Sequence, residues 1–288
     1  MRFGLEAAGD KIVAIEPSNK TTGDTLIGVV ICRSGAYILD KFLANQKIIQ
    51  TNSPSSRLIL ATCEPDFAAE LEIALKQQKI NGCVLQYETV KPKHARSRTW
   101  NITCGREVIR QYTLRDIDAK HLLFCDADMT YDQNVIDVMA KELRGYDIVY
   151  SGYALRDFGI ALTGPGCCFL DIDLFKEIGF RCLEFKNGTV MTEDTMFELD
   201  LMRLGKRIKK GFFVTTNHYY DSLQVKSVSP QPVGLYRRIT HSRLLRYVLI
   251  RASIAFRSDI GWVVNGYMHR VLCKIRVISG RHQKDSTT

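Results

Sequence analysis

The chain has 288 residues, 45% of them hydrophobic and 25% charged, with a formal net charge of +9. That much apolar material excludes a mostly disordered chain, and the lack of any uncharged apolar run of about 18 residues excludes an ordinary membrane-spanning helix. The charge is unevenly placed: Lys226 to Thr288 holds 12 basic and 2 acidic residues and the preceding part 28 and 29, so the basic character belongs to a C-terminal module and the main body is neutral.

At the N-terminus, Glu6 and then Asp10-Lys11 interrupt the sequence before an apolar run can build, so no cleavable secretion signal is expected. Residues 1–23 read as an irregular leader in which Lys11 to Ile15 can form one edge strand. Leu26 to Cys32 is a compact apolar run ended by Arg33-Ser34-Gly35, the pattern of a buried strand. Residues 36–49 follow with apolar side chains at helical spacing, until Thr51-Asn52-Ser53-Pro54 breaks them. The rhythm then repeats: strand over 57–62, helix over 66–78, a turn at Asn81-Gly82, strand over 83–87, helix over 95–114 and strand over 121–125. Strands alternating with helices of this length predict βαβ units and a parallel sheet. Beyond it the pattern predicts a helix over 134–144, a strand over 146–152, a tight turn at Gly164-Pro165-Gly166, helices over 173–178 and 193–204, and a strand over 208–216. From about Ser227 the texture changes to Pro230, Pro232 and basic helical sequence. The nine cysteines include no CxxC pair. They read as reduced, mostly buried thiols, from which a cytoplasmic compartment is expected.

Four groups of residues carry chemistry. Asp126-Ala127-Asp128 ends the strand over 121–125, where ligands gather in open parallel sheets; hard carboxylate oxygens there suit Mg²⁺ or Mn²⁺. Thr192-Glu193-Asp194 opens a helix, and Asp194, ionised at neutral pH, can act as a general base. His218 follows a strand where a third metal ligand can come from, and imidazole suits Mn²⁺. The run from Lys91 to Arg98 enters a helix, and Arg96 or Arg98 can meet diphosphate oxygens. Each also has a plain structural reading: a solvated turn, a helix cap, a core histidine and a charged loop.

Taken in order, four segments resemble the glycosyltransferase family 2 type of the GT-A fold. They are Ala95-Arg96-Ser97-Arg98-Thr99-Trp100-Asn101, Leu122 to Met129 around Asp126-Ala127-Asp128, Gly164-Pro165-Gly166-Cys167-Cys168-Phe169, and Thr192-Glu193-Asp194 to Leu204-Gly205-Lys206-Arg207-Ile208. The resemblance spans about residues 25–221. It implies nucleotide-sugar binding across the first half of the sheet, with Asp126 near the donor ribose and metal and Asp128 on the metal. It further implies Asp194 as the base of an inverting reaction and His218 as the residue completing the metal site. The chain departs from the family at Cys32-Arg33-Ser34-Gly35, without the Pro and Asn of many members. It departs again at Cys63-Glu64-Pro65-Asp66, without the usual paired Asp. Base recognition then falls to Glu64 or Asp66. The expected donor contacts are Arg33, Glu64, Arg96, Arg98 and Asp126; the expected metal ligands are Asp126, Asp128 and His218.

In the C-terminal module, Tyr236 to Arg257 laid on a helix of 3.6 residues per turn places Arg243, Arg246, Arg251 and Arg257 in one half. Leu244, Leu245, Val248, Leu249, Ala252, Ala255 and Phe256 fall in the other. Residues 260–278 are again apolar, with Arg270, Lys274 and Arg276. Two expectations stand side by side: the helix lies on an anionic membrane surface, or it packs its apolar half on the main body and solvates its arginines. Nucleic acid is not expected as a partner, because no reading motif accompanies the charge.

The sequence thus predicts an α/β fold, GT-A-like, with a Rossmann-type mostly parallel sheet flanked by helices over 24–225 and a basic helical C-terminal extension over 226–288. The expected activity is metal-dependent, inverting transfer from a nucleotide-sugar donor to a hydroxyl of a glycan or lipid-linked acceptor, in the cytoplasm or peripherally at the inner face of a membrane. The alternatives are a sugar-phosphate nucleotidyltransferase, whose usual Gly-rich phosphate loop is not visible near the first strand, and a non-catalytic sugar- or nucleic-acid-binding protein on the same scaffold.

Overall fold

A computed structural model describes residues 12–15, 24–89, 97–116, 118–155, 159–185 and 190–256. The first part alternates β1 (Ile12–Ile15), β2 (Thr25–Val30), α1 (Leu39–Asn52), β3 (Ser56–Thr62), α2 (Pro65–Gln78), β4 (Gly82–Thr89), α3 (Ser97–Arg115) and β5 (His121–Asp126). There follow β6 (Met129–Tyr131), α4 (Val135–Leu143), β7 (Ile148–Ser151), β8 (Tyr153–Ala154), β9 (Ile160–Ala161), β10 (Cys167–Asp171) and a 3₁₀ segment at Ile172–Lys176. The remainder comprises β11 (Leu183–Glu184), β12 (Val190–Met191), α5 (Glu193–Arg203), β13 (Ile208–Gly211), β14 (Thr216–Tyr219), β15 (Val225–Val228), α6 (Leu235–Thr240) and α7 (Arg243–Phe256).

The main sheet runs in the order β1-β4-β3-β2-β5-β10-β7-β13. Its β4-β3-β2-β5 half is parallel, as is the β7–β13 pair; β1 and β10 run antiparallel to their neighbours. Every residue of β3 is buried, which is why that strand reads as a continuous apolar run rather than an alternation. One face is covered by α1, α2 and α4 through Phe42, Leu71 and Met139; the other by α3 and α5 through Val108, Ile109, Phe197 and Leu201. Gly105 lets α3 pack close on β2, since a β-carbon there would stand 2.7 Å from Val30 Cγ1. That glycine seats the next residue, Arg106, within reach of Asp126 at the end of β5.

Two expectations need correction, and one strand was not expected. The strand predicted over 208–216 is two strands in two sheets. After β13 the chain leaves the main sheet, the Phe213 and Val214 N–H groups donate to Ser151 Oγ, and β14 joins a small sheet in the order β15-β14-β6. The antiparallel β10, inserted between β5 and β7, is absent from the sequence reading. The helix predicted over 236–257 is broken at His241-Ser242, where α6 closes and the Ser242 carbonyl accepts from Arg246 N–H to start α7.

Of the two expectations for α7, the one that packs its apolar half on the main body and solvates its arginines does not hold. Tyr247, Ile250 and Ile254 pack with Leu199 and Met202 of α5. Arg243 donates to the Met202 carbonyl (2.8 Å), and Arg246 pairs with the buried Glu198, which also takes Lys210 at 2.6 Å. A buried carboxylate demands cations, so Arg246 turns inward to Glu198. Residues 260–278 and Arg257 lie outside the described residues. No described helix is long and apolar enough to cross a membrane. The cysteines of the described residues are all free.

Candidate active site

The strand order of the sheet reverses between β2 and β5, which run parallel: strands β2, β3 and β4 step one way, and β5 returns to the other side of β2. Such a switch point opens a crevice at the carboxyl ends of the strands. Val30, the last residue of β2, pairs with Asp126, the last of β5. Arg33 and Glu64 leave the adjacent strand ends, and the Arg33 backbone N–H donates to Glu64 Oε2 at 2.9 Å. The Arg33 guanidinium forms a two-pronged pair with Glu70 (2.8 Å and 2.8 Å) at the exposed rim, so its charge is shared with a residue the sequence reading did not consider. Asp66 is exposed in the first turn of α2, and Arg98 is exposed in the first turn of α3. Arg96 lies outside the described residues.

β6 begins one residue after Asp128 and pairs antiparallel with β14, setting His218 opposite Met129. The Tyr219 N–H donates to the Asp128 carbonyl at 2.9 Å. This register fixes the two side chains face to face: His218 Nε2 lies 3.3 Å from Asp128 Oδ2. The other ring nitrogen, Nδ1, is 2.6 Å from the Ala154 carbonyl. A carbonyl only accepts, so Nδ1 carries a proton and the neutral ring presents the Nε2 lone pair to a carboxylate. Two electron-pair donors aimed at each other call for a cation between them, either a proton or a metal ion. Burial pulls the imidazolium down, but the Asp128 carboxylate and the Ala154 carbonyl outweigh it and raise His218 above its ordinary range. The Tyr37 hydroxyl, 2.6 Å from the Tyr219 carbonyl and 3.2 Å from Asp128 Oδ2, steadies the pair.

Asp126 is oriented differently. Its Oδ1 lies 3.4 Å from Arg106 Nη2, and its Oδ2 faces the Gly164-Pro165-Gly166 turn. A β-carbon at Gly166 would stand 2.6 Å from Asp126 Oδ2 and 2.6 Å from the Tyr153 ring; glycine there makes room for the carboxylate. Tyr131 ties the same turn to the strand end, donating to the Gly166 carbonyl and accepting from the Asp126 N–H. Among the described residues no three His, Cys, Asp or Glu side chains form a ready metal-ligand set. The expected trio of Asp126, Asp128 and His218 is therefore not assembled as such: Asp128 and His218 face each other, and Asp126 turns to Arg106.

Arg106 pairs with Glu193 as well as Asp126; Arg106 and Glu193 are buried, and the Asp126 side chain stays partly exposed. Burial pushes both carboxyls up, against the opposing pull of the Arg106 guanidinium. Asp194, next in sequence, sits at the start of α5. Its Oδ1 accepts from the Thr195 N–H at 2.6 Å and from the Thr192 hydroxyl, while Oδ2 points towards Gly164. Thr192, which can cap α5 in principle, thus spends its hydroxyl on Asp194 and makes no side-chain cap bond. The Gly-Pro-Gly turn brings Asp126 and Asp194 to one place although 68 residues separate them in sequence. Arg106, Tyr37 and Tyr131 were missed by sequence reading. Arg106 had one signal: it is a charge set among the apolar residues Cys104, Val108 and Ile109.

No family model matches the chain, and no curated protein matches it. Among solved structures it is similar to S. aureus TarS 1-349, at 16% identity and a TM-score of 0.46, over 64% of this chain. That likeness spans little more than half of the TarS chain, 57%. The same protein in complex with UDP-GlcNAc gives 17% identity and a TM-score of 0.44, over 64% of this chain and 55% of that one. The mannosyltransferase PcManGT from Pyrobaculum calidifontis, in complex with GDP-Man and Mn2+, gives 9% identity and a TM-score of 0.47, over 89% of this chain and 82% of that one.

Proposed function

We propose that this protein is an inverting glycosyltransferase that moves a sugar from a nucleotide-sugar donor to a hydroxyl of a glycan or lipid-linked acceptor. The observation that carries the reading is the convergence at the sheet's switch point. A carboxylate–imidazole pair (Asp128 and His218) stands just past the end of β5, and the Gly-Pro-Gly turn sets a second carboxylate (Asp126, the last residue of β5) near a helix-start carboxylate (Asp194). The donor set of one carboxylate oxygen and one imidazole nitrogen fits Mn²⁺, and Mg²⁺ less well. With two protein ligands, the remaining positions suit diphosphate oxygens and water.

In the proposed reaction Glu64 and Arg98 line the nucleotide side of the crevice and Asp126 meets the donor ribose. Asp194 Oδ2 accepts the proton of the acceptor hydroxyl. The acceptor oxygen forms its bond to the anomeric carbon as the bond from that carbon to the diphosphate oxygen breaks, and the diphosphate leaves with the electron pair. A single displacement of this kind inverts the anomeric centre. A bound divalent ion on Asp128 and His218 would offset the negative charge that develops on the leaving diphosphate. Arg106 holds Asp126 and the carboxylate of Glu193, the neighbour of Asp194 in sequence, so the donor and acceptor carboxylates keep their spacing.

The test is release of nucleoside diphosphate from UDP-, GDP-, CDP- and dTDP-sugars, compared between the wild type and Asp194→Asn. One donor should be turned over, with donor affinity in the variant within about twofold and turnover lower by about 10²–10⁴-fold. Release from none of the four, or full turnover by Asp194→Asn, contradicts the reading.

A further inference from the structure

Helix α7 is apolar on both sides. Its inner side, Tyr247, Ile250 and Ile254, is packed on α5. Its outer side carries Leu244, Leu245, Val248, Leu249 and Ala252, whose spacing puts them on one face. Leu244 is 75% exposed, and Val248 and Leu249 are 50% exposed. α6 adds Leu235 and Ile239, one turn apart and 73% and 54% exposed. Five of the twelve large hydrophobic residues exposed among the described residues thus sit on these two short helices. Single exposed hydrophobes need no explanation, but a concentration of them marks a contact surface.

The surrounding charge identifies the occupant. No acidic residue occurs from Lys226 to Phe256, whereas Lys226, Arg237, Arg238, Arg243, Arg246 and Arg251 do. Arg243 and Arg246 are turned inward to Met202 and Glu198. Arg238 and Arg251 remain exposed beside the apolar row. An apolar row edged by arginines, with no carboxylate, complements a surface that is apolar below and anionic above. A polynucleotide offers no partner for the leucines. A second copy of the same face sets arginine against arginine.

We infer that the outward face of α6 and α7 docks on an anionic lipid surface. Leu244, Val248 and Leu249 enter the boundary between headgroups and acyl chains, and Arg238 and Arg251 meet lipid phosphates. This face is distinct from the crevice at the carboxyl ends of β2 and β5, so docking and donor binding are separate properties of one protein.

The test is co-sedimentation of the full chain with vesicles of phosphatidylcholine alone and with vesicles also containing phosphatidylglycerol, across a salt series. The wild type should pellet only with the anionic vesicles, and less as salt rises. Arg251→Gln should bind about fivefold more weakly, the value of one basic residue near such a surface. Leu244→Glu/Val248→Glu should bind at least about tenfold more weakly, with helix content and melting of the wild type. Leu244→Gln/Val248→Gln serves if the charged pair does not fold. Three results would overturn the inference. One is a wild type that ignores anionic vesicles. Another is unchanged binding by the folded double variant, which assigns the contact to another part of the chain. The third is no vesicle binding together with self-association that the double variant abolishes, which assigns the face to a second copy.

Discussion

Arg106→Met is the perturbation that the site's architecture resolves best. Arg106 is buried, and its partner Glu193 has a side chain only 6% exposed; Asp126, 33% exposed at its side chain, can still turn to solvent. Methionine fills the space of the stem but leaves Glu193 as a buried carboxylate without its cation. Breaking a buried pair from one side costs about 3–5 kcal/mol. For a chain of this size that lowers the melting temperature by about 6–15 °C near pH 7.5. The sign with pH follows from burial. Glu193 is already raised in the folded protein, and without Arg106 it rises further. A carboxyl raised on folding binds its proton more tightly in the folded state. Stability therefore falls as pH climbs from the unfolded value of about 4.3 to the folded one, and the full loss appears above the folded value. Thermal unfolding followed by circular dichroism at pH 5 and pH 7.5 should show the variant's deficit shrinking at the lower pH. Adding Glu193→Gln should restore part of the loss at pH 7.5, because the unpaired charge is gone. A deficit of the same size at both pH values, or no deficit at all, refutes the reasoning.

His218→Ala removes one of two facing ligands and should weaken Mn²⁺-dependent donor binding by at least about 10–100-fold, measured by calorimetry, with little change in melting temperature. Gly166→Ala puts a β-carbon 2.6 Å from Asp126 Oδ2 and the Tyr153 ring. It should cost about 1–3 kcal/mol in urea unfolding and weaken donor binding, because the carboxylate must move. Arg246→Met leaves the buried Glu198 with Lys210 alone and should loosen α7 from α5, seen as faster amide exchange in residues 243–256. Glu198 is held below its ordinary range by Lys210 and Arg246 despite burial. Its contribution is thus present above the unfolded carboxylate value and lost as pH falls through the folded one, and the Arg246→Met deficit should be larger at pH 7 than at pH 4.

The parallel half of the sheet was legible because burial on both faces leaves an unmistakable pattern: Leu26 to Cys32 and Arg57 to Thr62 are runs with no polar interruption of their interior. The antiparallel β10 was not legible, since Cys167-Cys168-Phe169-Leu170 is short and follows directly on the Gly-Pro-Gly turn that masks its start. The strand over 208–216 was overextended because Phe212, Phe213 and Val214 keep the apolar texture while Ser151 Oγ draws their backbone out of the sheet. At the site, the carboxylates and His218 were visible by residue type, but their partners were not. Nothing local to Tyr37 or Arg106 reveals that the fold places one beside Asp128 and the other beside Asp126. The packed alternative for α7 put the wrong half inward because helical periodicity was weighed without Glu198, a buried acid 48 residues away in sequence that claims Arg246.

The central claim is that Asp128 and His218 hold a divalent ion on which a nucleotide-sugar binds. The most direct measurement is a calorimetric panel of UDP-, GDP-, CDP- and dTDP-sugars, each with Mn²⁺ and with EDTA, on the wild type and on Asp128→Ala. Binding of one nucleotide, present with Mn²⁺, absent with EDTA and lost in a folded Asp128→Ala, is the predicted result. Binding that survives EDTA or Asp128→Ala, or binding of none of the four, contradicts the account.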